Sequence, residues 1–341
     1  MKHWYVTGPR QIDVVEEEMP AAGAGEVLVR TAYTALSPGS NVHVYRTGSF
    51  SRDGAGQRGE AVYMGSGIVE VAGAGVEHVR PGDPVAMTGN GHQEYAVVPG
   101  RRVHRLPAGL SLRDASITYL SGWAVSALHL GGYAAAETVV VVGQGLVGAS
   151  AALMADQMGA RVLALDTAPE RVAFARGLGL GLVERPDDPG AAERIAVYLA
   201  PNGPDLILET TGAWAGLRQA MDLARDYTRI ALMGIYRQPP PADLALELFH
   251  QAYDFPSKLH YKKIQLIGCG YDPESIADPA PRMATREGNF AYTLAQAARG
   301  RLAIGKLVTD VVPAEQIGAI LARFAEGDRS MVGVVFDWGA A

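Results

Sequence analysis

The chain has 341 residues, 48% hydrophobic and 19% charged, with a formal net charge of −6. That length exceeds the size at which one core keeps growing, so two domains are expected. The acidic balance and the scatter of the arginines exclude the basic face of a nucleic-acid binder. A single cysteine, Cys269, excludes an intrachain disulfide and a four-cysteine metal site. The start, Met1-Lys2-His3-Trp4-Tyr5, lacks the apolar run of a secretory signal. The uncharged stretch from Thr138 to Ala155 carries four valines and then glycines, which reads as strand, turn and helix rather than a membrane span. A cytoplasmic protein with no membrane partner is expected.

The first hundred residues read as short strands broken by turn signals. Val27–Arg30, Gly67–Val71 and Glu94–Pro99 are strand-like, and Ser37-Pro38-Gly39-Ser40 and Pro81-Gly82-Asp83-Pro84 punctuate them as turns. A polar, arginine-containing loop runs from Arg46 to Arg58, and His92 sits in a glycine-flanked loop. This region is all-β and barrel-like. From Leu112 to Leu130 the pattern turns helical, with no internal proline. Strands and helices then alternate: Thr138–Val142, a helix after Gly148, Arg161–Asp166, a helix from Pro169, Leu206–Glu209, Ala215–Arg225, Arg229–Met233 and Ile264–Ile267. Such alternation predicts an α/β doubly wound parallel sheet with helices on both faces. A helix near Gly288–Arg299, a strand at Leu307–Val312, a further helix and a last strand, Val332–Phe336, return the chain toward the first domain. The expected boundaries are 1–116, 117–272 and 273–341.

The run Val139-Val140-Val141-Val142-Gly143-Gln144-Gly145-Leu146-Val147-Gly148 has the strand, G-x-G-x-x-G and helix order of a dinucleotide site. Gly143 permits the tight turn, Gly145 lets the backbone approach a pyrophosphate, and Gly148 lets the helix pack on the strand. The helix from Leu146 aims unpaired N–H groups at the phosphates. A second strand ends in Asp166, whose carboxylate suits the adenosine ribose hydroxyls and repels a 2′-phosphate, so NAD(H) is favoured over NADP(H). Arg171 is a further candidate at the adenine side, against its reading as a solvated helix residue. Thr211 and Gly234 complete the candidate cofactor residues.

The whole chain resembles the medium-chain, alcohol dehydrogenase-like dehydrogenases. The resemblance rests on Gly67-x-Val69, Arg80-Pro81-Gly82-Asp83-x-Val85, Glu94-Tyr95-Ala96-Val97-Val98-Pro99 and Asp205 to Gly212, in that order. It implies a GroES-like β-barrel catalytic domain joined to a Rossmann domain, and a homodimer or homotetramer paired through an edge strand at Ile264–Gly268. Departures from the zinc-dependent pattern are informative. Pro38 stands at the cysteine ligand position of Pro38-Gly39-Ser40-Asn41-Val42-His43, Tyr63 replaces the histidine ligand, Met64 the adjoining glutamate, and Thr118 falls at the third ligand position. Met87 to Gln93 leaves no room for a cysteine-rich lobe. The resemblance therefore implies a zinc-independent enzyme with no metal site, in which Tyr63, Ser40 and His43 handle the hydroxyl proton. Ser37-Pro38-Gly39-Ser40 is partly similar to a turn of the zinc-less branch that includes hydroxyethyl-bacteriochlorophyllide dehydrogenases, with Asn41 in place of a glutamate. Tyr119 and Trp123 line either the substrate pocket or the helix packing.

Three functions follow. The first is NAD(H)-dependent interconversion of an alcohol and a ketone or aldehyde, in a specialised biosynthetic pathway and on a small-molecule substrate. The second is NAD(P)H-dependent enoyl or quinone reduction of a conjugated double bond. The third is non-catalytic nicotinamide binding.

Overall fold

The computed structural model describes residues 1–48, 59–242, 259–270 and 285–339. It divides into two compact units, Met1–Leu120 with Phe290–Ala341, and Ser121–Asn289. The joints lie later in the chain than the expected 116/117 and 272/273. At the first joint the reason is packing, because Tyr119 meets Tyr63 edge-on with ring centroids 6.1 Å apart and Phe290 at 5.4 Å. Most of the loop from Arg46 to Arg58 lies outside the described residues.

The first unit is mostly antiparallel β-structure. Strands β1 (Lys2–Gly8), β2 (Gln11–Glu16), β4 (Gly59–Glu60) and β7 (His92–Gln93) form a small sheet. A larger sheet runs β16 (Val308–Pro313), β17 (Gly333–Asp337), β3 (Glu26–Ala35), β5 (Met64–Ala72), β6 (Pro84–Thr88) and β9 (Val103–Arg105), with β8 (Tyr95–Pro99) also on β3. Val27, Val29, Val69, Val85 and Met87 fill one core, and Trp4, Leu36, Val44, Ile320, Leu321 and Phe336 another.

Two helical features depart from the sequence expectation. Ser37 to Ser40, read as a turn, begins the helix α1 (Pro38–Thr47), which Gly48 ends in a left-handed conformation with φ 76°. Proline at the first helical position suits a helix start because its missing N–H is not needed there. The helix expected from Leu112 to Leu130 is two: α2 (Leu112–Ser116) and α3 (Tyr119–Leu130). The break falls at Ile117-Thr118, where the Ser116 and Thr118 hydroxyls donate to the carbonyls of Arg113 and Asp114. Such local bonds and adjacent β-branched residues weaken a helix.

His92, read as a loop residue, is wholly buried. Its Nε2–H donates to the Ala314 carbonyl at 2.8 Å, and Nδ1 accepts from the Thr34 hydroxyl at 2.8 Å. Burial holds its pKa down at about 3, so it is a neutral tie between β3, β7 and the segment before the last helix.

The second unit is a six-stranded parallel sheet in the order β12 (Leu182–Glu184), β11 (Arg161–Leu165), β10 (Thr138–Val142), β13 (Leu206–Glu209), β14 (Arg229–Leu232) and β15 (Gln265–Gly268). All pairings are parallel, as in Val140↔Leu163 and Val140↔Ile207. This agrees with the doubly wound α/β expectation. Val140, Val142, Leu163, Leu165, Ile207 and Ile230 pack with α6 (Ala191–Leu199) and α7 (Trp214–Leu223). Ala164 and Val183 pack with Val172 and Ala175 of α5 (Pro169–Arg176). No described helix is long and apolar enough to cross a membrane.

Helix α4 (Leu146–Gln157) packs on β11, β10 and β13, and its buried residues include the small Gly148, Ala149, Ala151 and Ala152. A Cβ on Gly148 would collide with the Gly143 carbonyl, whereas one on Gly145 would meet nothing within 4 Å. Gly145 has φ −68° and ψ −177°, open to alanine. Gly148→Ala is expected to cost more than about 2 kcal/mol of stability in denaturant titration. Gly145→Ala should cost less than about 1 kcal/mol in the same measurement.

Candidate functional site

The glycine turn joins β10 to α4 at the C-terminal edge of the parallel sheet. Gly143 adopts φ +92°, and a Cβ there would press on the Thr210 hydroxyl and the Thr211 methyl at 2.8 and 2.7 Å. Gly145 caps α4, with no side-chain bond to the helix start and no acidic residue in the first turn. The first N–H groups of the helix therefore face outward as anion donors. Leu146 is buried, while Gly145 and Val147 keep exposed surface on this side.

Asp166 follows β11 and faces the turn. Its Oδ2 accepts the Gln144 N–H at 2.7 Å, and its Oδ1 accepts the Ala168 N–H at 2.8 Å. Each oxygen keeps a further lone pair for a hydroxyl donor, and the residue is half-buried. The Gln144 side chain is turned inward, donating to the carbonyls of Val141 and Gly143 at 3.1 and 2.9 Å. It contributes through its backbone and by bracing the turn. Arg171 is buried, which corrects its reading as a solvated helix residue.

The ends of β13 and β14 meet around one carboxylate. Glu209 is wholly buried. Its Oε1 accepts from the Thr211 N–H at 2.8 Å and from the Thr211 hydroxyl. Its Oε2 accepts from the Tyr236 hydroxyl at 2.6 Å and the Gly212 N–H at 3.3 Å. The Gly234 N–H donates to the Glu209 carbonyl at 3.0 Å. Burial, then the hydrogen bond and charge of Glu209, push the Tyr236 phenol well above its ordinary pKa, so it stays a donor. Thr210 joins this knot to the glycine turn, its hydroxyl donating to the carbonyls of Val142 and Gly143 at 2.8 and 3.2 Å. Thr211 and Gly234 were expected near a cofactor; Glu209 and Tyr236 were not singled out, and only Glu209's place at a strand end hinted at it.

In the first unit, the Tyr63 hydroxyl donates to Ser37 Oγ at 2.8 Å. Ser37 is buried, and its N–H bonds Asn41 Oδ1 at 2.7 Å, fixing the start of α1. Ser40 and His43 are half-buried and one turn apart on α1. Ser40 bonds the Ser37 carbonyl through its own N–H at 3.1 Å. The serine that meets Tyr63 is thus Ser37 rather than the expected Ser40. Its signal was the Ser-Pro helix start.

The three positions where the resemblance seeks zinc ligands do not fit a metal. Pro38 has no donor, Tyr63 is bonded to Ser37, and the buried Thr118 hydroxyl donates to the Asp114 carbonyl at 2.9 Å. Zinc takes sulfur, imidazole nitrogen or carboxylate oxygen. Among the described residues no group of three or more His, Cys, Asp or Glu side chains is placed to hold a metal ion. Cys269 lies after β15 in the other unit.

Residues 147–276 match the family of zinc-binding dehydrogenases. The chain is 24% identical to 2-dehydro-3-deoxy-L-galactonate 5-dehydrogenase of Pseudoalteromonas atlantica over 96% of both chains. Its fold is that of galactitol-1-phosphate dehydrogenase from Escherichia coli, with a TM-score of 0.81, 21% identity and coverage of 99% and 100% of the two chains. A chain described as a short chain alcohol dehydrogenase from Escherichia coli CFT073, solved in complex with NADH, matches with a TM-score of 0.77 and 21% identity over 99% of each. None of these similarities marks a zinc-independent branch or a likeness to hydroxyethyl-bacteriochlorophyllide dehydrogenases. They show similarity to the zinc-binding dehydrogenases over residues 147–276 and the fold of alcohol dehydrogenase-like oxidoreductases over nearly the whole chain.

Proposed function

We propose that the protein is an NAD(H)-dependent oxidoreductase that interconverts an alcohol and its ketone or aldehyde without zinc. One observation carries the reading. The glycine turn leaves an open face at Gly145, and Asp166 is held beside it by two backbone N–H groups. The α4 N-terminus would hold the pyrophosphate, and Asp166 the ribose hydroxyls. When bound, the nicotinamide supplies the hydride acceptor or donor. The similarity to dehydrogenases of hydroxylated small molecules supports an alcohol or polyol substrate.

In this proposal the Tyr63 phenol oxygen accepts from the substrate hydroxyl while its own O–H donates to Ser37 Oγ, and on reduction of the ketone the same relay runs in reverse. Ser40 and His43, a turn apart on α1, carry the proton onward. Hydrogen-bond donors then take the place that a metal's charge holds in zinc enzymes. Absence of zinc is supported by Pro38, Tyr63 and Thr118 at the ligand positions. Pairing of two copies through β15, the last strand of the parallel sheet, and a cytoplasmic location complete the reading.

Fluorescence titration of the purified protein is expected to show NADH binding at least about tenfold tighter than NADPH. Asp166→Ala should shrink that difference. A preference for NADPH would instead favour reduction of a conjugated double bond, and binding of neither would overturn the cofactor site. Elemental analysis of the protein purified without chelators should find well under one zinc per chain; stoichiometric zinc bound in the first unit would contradict the metal-free mechanism.

A further inference from the structure

We infer that Glu209 biases the cofactor site toward the oxidised, positively charged nicotinamide. The inference rests on the NAD(H) reading and deepens it, from binding to the balance between the two redox forms.

Position comes first. Strands β10 and β13 are neighbours in the sheet but not in the chain, so the winding of the sheet reverses between them. In open parallel sheets ligands enter the crevice outside the carboxyl ends of the strands at that reversal. Glu209 is the last residue of β13, one residue before the Thr210 that braces the glycine turn.

Charge comes second. All four contacts of the Glu209 carboxylate are donors: the Thr211 and Gly212 N–H groups and the hydroxyls of Thr211 and Tyr236. That set suits an acceptor-only carboxylate. None of these partners is a lysine or arginine, so the dipoles stabilise the charge without cancelling it. A wholly buried charge is also poorly screened by solvent and salt. The oxidised nicotinamide ring carries a positive charge and the reduced ring none. A fixed negative charge at the strand end therefore favours the oxidised form.

Rigidity comes third. A Cβ on Gly216 or Gly234 would press on the carboxylate at 2.7 or 2.9 Å, so only glycines admit it there. Tyr236 is in turn packed against Trp214, with ring centroids 4.9 Å apart, and the Trp214 indole N–H donates to the Gln238 carbonyl at 2.9 Å. The carboxylate cannot swing away when the cofactor changes charge.

The test is calorimetric measurement of the dissociation constants for NAD⁺ and NADH in the wild type, Glu209→Gln and Tyr236→Phe, with circular dichroism as the check on folding. Glu209→Gln keeps the shape and removes the charge; its preference for NAD⁺ relative to NADH should fall about fivefold. Tyr236→Phe disturbs the same knot but keeps the charge, and should hold the wild-type preference within about twofold. A merely structural role would weaken both forms alike, so an unchanged ratio in Glu209→Gln overturns the inference while leaving NAD(H) binding intact. An equal fall in Tyr236→Phe overturns it as well. A wild type that binds neither form overturns it together with the cofactor reading. Should Glu209→Gln fail to fold, the wild type decides: affinities within about tenfold of one another support the inference, and NADH bound more than about tenfold tighter contradicts it.

Discussion

Gly148 has no side chain because the Gly143 carbonyl occupies the space a Cβ would need. That single backbone approach sets much of the second unit. It lets α4 lie on β10, fixes the left-handed bend at Gly143 and leaves the helix N-terminus open at Gly145. Thr210 and Thr211 fill the space beside the bend that a Cβ on Gly143 would need, and Thr211 and Tyr236 in turn bond Glu209. The glycine turn and the buried carboxylate are thus parts of one edge of the sheet.

The first unit solves a different problem. At the three positions where the resemblance seeks ligands, this chain has a proline, a tyrosine and a threonine, each serving the local backbone or a neighbouring hydroxyl. Proline at position 38 starts α1, and that helix start brings Ser37 against Tyr63. What remains is a hydroxyl pair backed by the aromatic rings of Tyr119 and Phe290.

Five of the six strands of the parallel sheet were legible as short, mostly apolar runs between helical stretches, whereas β12 (Leu182–Glu184), too short to give a pattern, was not anticipated. Leu206–Glu209 agrees with its expected bounds to the residue. The glycine motif was legible because steric demand leaves only one residue type at Gly143 and Gly148. Helix α1 was hidden by composition: Ser-Pro-Gly-Ser reads as a turn until the helix stop at Gly48 is weighed with it. The break at Ile117 depends on local hydroxyl bonds that compete with the helix, which a count of helix formers misses. Arg171 read as a solvated helix residue and His92 as a loop residue because burial of a polar side chain depends on partners far away in sequence. The Glu209–Tyr236 contact spans 27 residues and has no periodic signature at all.

Amide hydrogen exchange with and without NADH tests the central claim most directly, because it reads the backbone of the turn itself. The account predicts slowed exchange in peptides covering Gly143 to Ala149 and Asp166 to Ala168, with barrel peptides such as Tyr95–Pro99 unchanged. Saturating NADH that leaves the exchange of Gly143 to Ala149 unaltered would contradict it.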